Sequence, residues 1–117
     1  MILLIILVSH IIYHRKVNKI MEMRFIDTHC DTMGECIARS EGKVTLQNNP
    51  GHINMEKLIK GGAMAEFFAI FIPTHDSGAS KGVTLPPYDY FQFVYKAYLK
   101  ELEANKNVLA PACNYDD

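Results

Sequence analysis

Met23-Arg24-Phe25-Ile26-Asp27-Thr28-His29-Cys30-Asp31 is the stretch that decides how this chain is read. An apolar pair, Phe25-Ile26, leads into a carboxylate, an imidazole and a second carboxylate at every other position. Successive side chains of an extended backbone alternate between its two faces, so Asp27, His29 and Asp31 are expected on one side. Imidazole nitrogen together with carboxylate oxygen is a donor set preferred by hydrolytic divalent metals, zinc above all. The segment therefore reads as a strand whose carboxyl end delivers two metal ligands, His29 and Asp31. Cys30 faces the other way in the same strand and is expected to pack behind the site as a small buried residue.

Outward from this motif, the chain alternates strand and helix signals. Met23–Asp27 reads as the first strand. A polar, turn-rich stretch follows, with Gln47-Asn48-Asn49-Pro50-Gly51 as its strongest turn signal and a short helix around Gly34–Arg39. Asn54 is a plausible N-cap for a helix Met55–Lys60, with Glu56 in the first turn and Gly61-Gly62 ending it. Ala65–Ile72 is apolar except for Glu66 and is closed by Pro73, which predicts a strand buried on both faces. Pro86-Pro87 introduces a long helix. Asp89 and Gln92 have capping-box spacing, and Phe91, Val94, Tyr95, Tyr98 and Leu102 form an apolar stripe opposite Lys96, Lys100 and Glu103. Val108–Ala112 is a candidate third strand. Strands alternating with helices argue for an α/β fold with a parallel sheet or barrel, and chemistry in such folds gathers at the carboxyl ends of the strands.

Composition narrows the function classes. The chain has 117 residues, 49% of them hydrophobic and 21% charged, and a net charge of -1, which is globular and gives no general reason to expect a nucleic-acid partner. Its three cysteines have no metal-finger or redox spacing, so a disulfide framework is not expected and a reducing, cytoplasmic setting fits better. Ser40, Ser77 and Ser80 lack the surroundings of a nucleophile elbow. His75-Asp76 reads as a loop pair after the second strand, and His52 as part of the turn before the short helix. His10 and His14 have no metal-binding partner in sequence.

Residues 1–20 differ from the rest. Met1–Val8 is unbroken apolar sequence, followed by a basic cluster of His14, Arg15, Lys16 and Lys19. The run falls short of the ~20 apolar residues of a spanning helix, and its charge lies on the wrong side for a secretory signal. Three readings stay open: an anchor through residues 1–13 with a cytoplasmic basic flank, a hairpin or helix lid, or an upstream extension with the working start at Met21 or Met23. The last is favoured, and the main domain is then residues 21–117.

Three ordered segments carry a family resemblance: Asp27-Thr28-His29-Cys30-Asp31-Thr32, then His52–Met55 through Lys60-Gly61-Gly62, then Ala65–Phe71. Together they resemble the amino-terminal part of the membrane dipeptidase (renal dipeptidase) family, peptidase family M19, over about Met23–Asp117. The resemblance implies a zinc-dependent (β/α)8 barrel of the metal-dependent hydrolases that cleaves dipeptides with two zinc ions. It implies His29 and Asp31 as ligands of the first zinc, with a bridging Glu and two later His ligands beyond the positions present here. Asp27 is a candidate for orienting His29 from behind. A complete barrel of this kind takes ~250 residues, whereas this chain has room for two complete β/α units. The expectation is an amino-terminal fragment, inactive alone, with an open sheet edge that promotes aggregation. Two alternatives remain: another hydrolase of the same superfamily, many of which carry His-x-His rather than His-x-Asp on the first strand, and a non-catalytic, membrane-tethered remnant.

Overall fold

The computed structural model describes the backbone of residues 2–8 and, with their side chains, residues 24–72 and 84–114. The expectations placed on His10, His14, Met21, Pro73, His75, Asp76, Ser77 and Ser80 lie outside the described residues. Among the described residues four strands make one mixed sheet: β1 (Ile2–Val8), β2 (Phe25–Cys30), β3 (Ala63–Ile70) and β4 (Leu109–Pro111), in the order β2-β3-β1-β4. β2 and β3 are parallel, and β1 is antiparallel to both β3 and β4. Two α-helices connect them, α1 (Met55–Gly61) and α2 (Pro87–Ala104). The chain is therefore α/β with a parallel pair at the expected place. Residues 2–8 of the apolar leader form a strand inside the sheet, between β3 and β4.

The local elements follow from local chemistry. β2 begins at Phe25 and runs to Cys30, three residues beyond the expected end. The chain then turns through a π-helical turn, Met33–Ile37, and a 3-10 turn, Ala38–Ser40, where an ordinary helix was expected around Gly34–Arg39. Glu41 ends this segment in the left-handed region at φ 54°, with its N–H returning to the Ala38 carbonyl. α1 forms as its signals predict. Asn54 caps it by accepting the Lys57 N–H at 3.0 Å, and Gly62 closes it at φ 79°, where a side chain would be strained.

β3 starts two residues earlier than expected, at Ala63, and is buried on both faces. Its neighbours cover a small-residue face, Ala63, Ala65 and Ala69, and a second face with Glu66, Phe68 and Ile70. α2 starts with Pro87 at its first position, where the missing N–H costs nothing. The capping box on Asp89 is not realised. Asp89 lies inside the first turn, and no side chain caps this end. The buried line of α2 is Tyr90, Val94, Tyr98 and Glu101, while Phe91, Tyr95 and Leu102 are half-buried at its flank. The stripe is thus rotated slightly from the expected one.

One core joins these pieces: Met33, Leu46, Met55, Leu58, Phe68, Ile70, Val94 and their neighbours, most of them fully buried. Each such side chain contributes roughly 1.5–3 kcal/mol by leaving water. Glu101 ties the polar 44–50 loop to α2. Its carboxylate accepts the Leu46 N–H at 2.9 Å, and the neighbouring Asn105 accepts from Gln47 at 2.7 Å. No helix among the described residues is long and apolar enough to cross a membrane.

Candidate functional site

The ligand motif sits at the carboxyl end of β2, beside a break in the β2–β3 register. Asp27 lies opposite Glu66, but Cys30 lies opposite Phe68, so β2 spends one residue more than β3 in that interval. Such a bulge re-aims side chains. Asp27 stabilises it locally, because its Oδ1 accepts the backbone N–H of His29 at 3.1 Å. This is an Asx-type turn bond, which competes with the regular ladder. Asp27 therefore orients His29 through the main chain, not through the second ring nitrogen.

His29 Nε2 and Asp31 Oδ2 lie 3.3 Å apart, and both side chains are about half exposed, at 47% and 45%. The other Asp31 oxygen, Oδ1, is buried without a hydrogen-bond partner among the described residues. The segment behind them is firmly held. The Asp31 carbonyl accepts the Glu35 N–H at 2.9 Å, and Met33 is fully buried. Gly34 runs so close to α2 that a Cβ there would meet the Tyr90 hydroxyl at 3.2 Å. A π-helical turn at this point is in keeping with how often such turns occur at functional sites.

Cys30 turns into the core, as expected for the alternate position. Burial pushes its thiol strongly upward, which makes it an inert packing group and not a nucleophile. The residue that sequence reasoning missed is Glu66. It is completely buried in β3, and neither carboxylate oxygen has a hydrogen-bond partner among the described residues. Burial pushes its carboxyl up to about 7. The Cys30 thiol beside it offsets part of that push without a bond of ordinary geometry, Asp27 adds to it, and His29 opposes it. The signal was present in sequence as the one acid in an otherwise apolar strand.

An open cleft of about 430 Å³ surrounds the motif. Asp27, His29 and Asp31 line it together with, among others, Glu35, Cys36 and His52. His52, expected only as a turn residue, is thus brought to the site. A second hollow of about 270 Å³ lies between the 3-10 turn and α2, with Lys96 and Lys100 on its rim and Phe93 in its wall. It holds no imidazole or thiol, and the buried Glu101 in its lining already accepts the Leu46 N–H.

No family model, curated protein or solved structure matches this chain. The site must therefore be judged on its chemistry. His29 and Asp31 offer one nitrogen and one carboxylate to the same space, and an orphaned buried oxygen such as Asp31 Oδ1 is what a cation would satisfy. Among the described residues, however, no group of three or more His, Cys, Asp or Glu side chains is placed to hold one metal ion. A catalytic zinc takes three protein ligands and a structural zinc takes four. Among the described residues His29 and Asp31 supply two donors, fewer than either kind of zinc centre takes.

Proposed function

We propose that this chain carries the first-strand half of a zinc hydrolase site of the dipeptidase type, in the amino-terminal part of a (β/α)8 barrel. The observation that carries the reading is the His29–Asp31 pair, 3.3 Å apart at the carboxyl end of a strand that runs parallel to its neighbour. Active sites of parallel α/β folds lie at that end. The spacing His-x-Asp and the following α1 and β3 segments support the dipeptidase over relatives with His-x-His.

His29 and Asp31 would hold the metal, His29 as neutral imidazole. A bound zinc supplies Lewis-acid polarisation and a water acidic enough to ionise near neutral pH. The chain's own residues do the positioning. Asp27 fixes the backbone at His29, and Met33 and Gly34 lock the turn that carries Asp31. The cleft between Glu35, Cys36 and His52 is where a short peptide substrate would lie. With two donors brought together among the described residues, the chain is expected to bind zinc loosely and to leave dipeptides uncut.

Zinc titration of the full chain tests this reading. His29→Ala and Asp31→Ala should each weaken zinc binding by roughly tenfold or more, while Cys113→Ser leaves it unchanged. Equal zinc affinity in the parent chain and both site variants would remove the metal reading.

A further inference from the structure

β3 and β4 run in the same direction, because β1 is antiparallel to each of them. α2 is the crossover that joins them. Consecutive strands joined in this way pair directly about two-thirds of the time. Here one strand stands between them. β1 is in register with β3 over six residues, from Ile2 opposite Ile70 to Leu7 opposite Ala65. It meets β4 over only three, from Ile6 opposite Pro111 to Val8 opposite Leu109. Neighbouring strands lie ~4.8 Å apart, so β1 holds β3 and β4 about 10 Å from each other.

The two sides of this slot are unequal. β3 is buried on both faces, and its backbone groups on the β1 side must find partners. The β4 contact is short, and one of its three residues is Pro111, which has no N–H to give. Asn105 anchors the end of α2 through its bonds to Glu101 and Gln47, and its carbonyl accepts the Val108 and Leu109 N–H groups at 2.8 Å, so a shift of β4 must pivot on this turn with Leu109 kept in the core. Two arrangements put a strand beside β3: β1 in the slot along six residues, or β4 moved inward by one strand spacing along three.

We propose that Ile2–Val8 is a displaceable spacer strand, and that when it leaves, β4 pairs directly with β3 in parallel. The proposal stands on strand direction and register, and it rests on the barrel reading above, in which β3 and β4 are neighbours; zinc binding tests that reading separately. It makes the leader a conformational device that chooses between a four-stranded mixed sheet and a three-stranded parallel one.

The experiment uses the full chain. Leu7 pairs with both Ala65 and Ala110, so those two alanines flank β1 at the same level. Cysteines at Ala65→Cys and Ala110→Cys, with Cys36 and Cys113 replaced by serine, are about 10 Å apart while β1 is in place. That exceeds the ~7 Å reach of a disulfide. Ile6→Pro expels β1, because Ile6 is in register with Glu66 on one side and Pro111 on the other, and a central strand does not tolerate proline. The expected result is little disulfide with Ile6 present, and roughly tenfold faster disulfide formation with Ile6→Pro. Hydrogen exchange should show that β1 amides lose protection while those of β3 around Ala65, at the level of β4, keep theirs. Three results overturn the proposal: β3 amides around Ala65 exposed in the Ile6→Pro chain, a chain that no longer folds, or equal disulfide formation in both backgrounds.

Discussion

Glu66 concentrates the tension at the residue scale. A carboxylate with no hydrogen-bond partner among the described residues, in a fully buried position, is costly when ionised. Its carboxyl titrates near 7 in the folded chain, against an ordinary 4.5. Between those values the folded state holds the proton that the unfolded state has released. Stability therefore falls as pH rises through this window and is greatest below 4.5. At 1.36 kcal/mol per unit the whole effect is about 3 kcal/mol. Denaturant unfolding of the metal-free chain at pH 5 and pH 8 should show this fall, and Glu66→Gln should flatten it. A Glu66→Gln chain with the same pH slope would assign the slope to other groups. A cation in the cleft would reverse the preference by favouring nearby negative charge.

At the scale of elements, caps and long-range ties differ in consequence. Asn54 satisfies one N–H at the start of a seven-residue helix, so Asn54→Ala is expected to cost about 1 kcal/mol. Glu101 serves a loop 55 residues away in sequence through the Leu46 N–H. Glu101→Ala strands that buried donor and should cost about 2–3 kcal/mol in thermal or denaturant unfolding. The reverse order of the two losses would mean that the 44–50 loop is held by something other than Glu101.

The same contrast explains what was legible in the sequence. α1 was readable because its cap, its acidic first turn and its closing glycines are all local. β3 was readable as a buried apolar run closed by a proline, and Cys30 was placed in the core by alternation alone. The bulge at His29 was not readable, because it is set by the β2–β3 register, a long-range property. The rotated stripe of α2 has the same origin. Tyr90 is buried because Gly34 passes close to it, which no periodicity within α2 can reveal. Glu66 was visible as an anomaly, but only the pairing of β3 with Asp27 on β2 gives it a place beside the site.

At the scale of the whole molecule, the sheet ends on one side in β2, whose outer backbone edge has no strand partner among the described residues. Phe25 and Ile26 are 40% and 55% exposed on that strand, and Phe71 and Met64 add further exposed apolar surface near β3. An apolar, unprotected edge is a template for pairing with another chain, and natural sheets usually blunt such edges with charge. His29 and Asp31 sit at the far end of β2, and Arg24 and Asp27 are the only charges next to the exposed Phe25-Ile26 pair in the described sequence. The chain should therefore self-associate through β2 as its concentration rises. Ile26→Lys puts a charge on the edge without touching the core and should shift light scattering and sedimentation toward the monomer. Lys60→Ala is the matched control, because Lys60 lies on the wet side of α1, paired with Glu56. Equal association in the parent and Ile26→Lys chains would move the sticky surface away from β2, toward Tyr88 at the start of α2, which is 70% exposed.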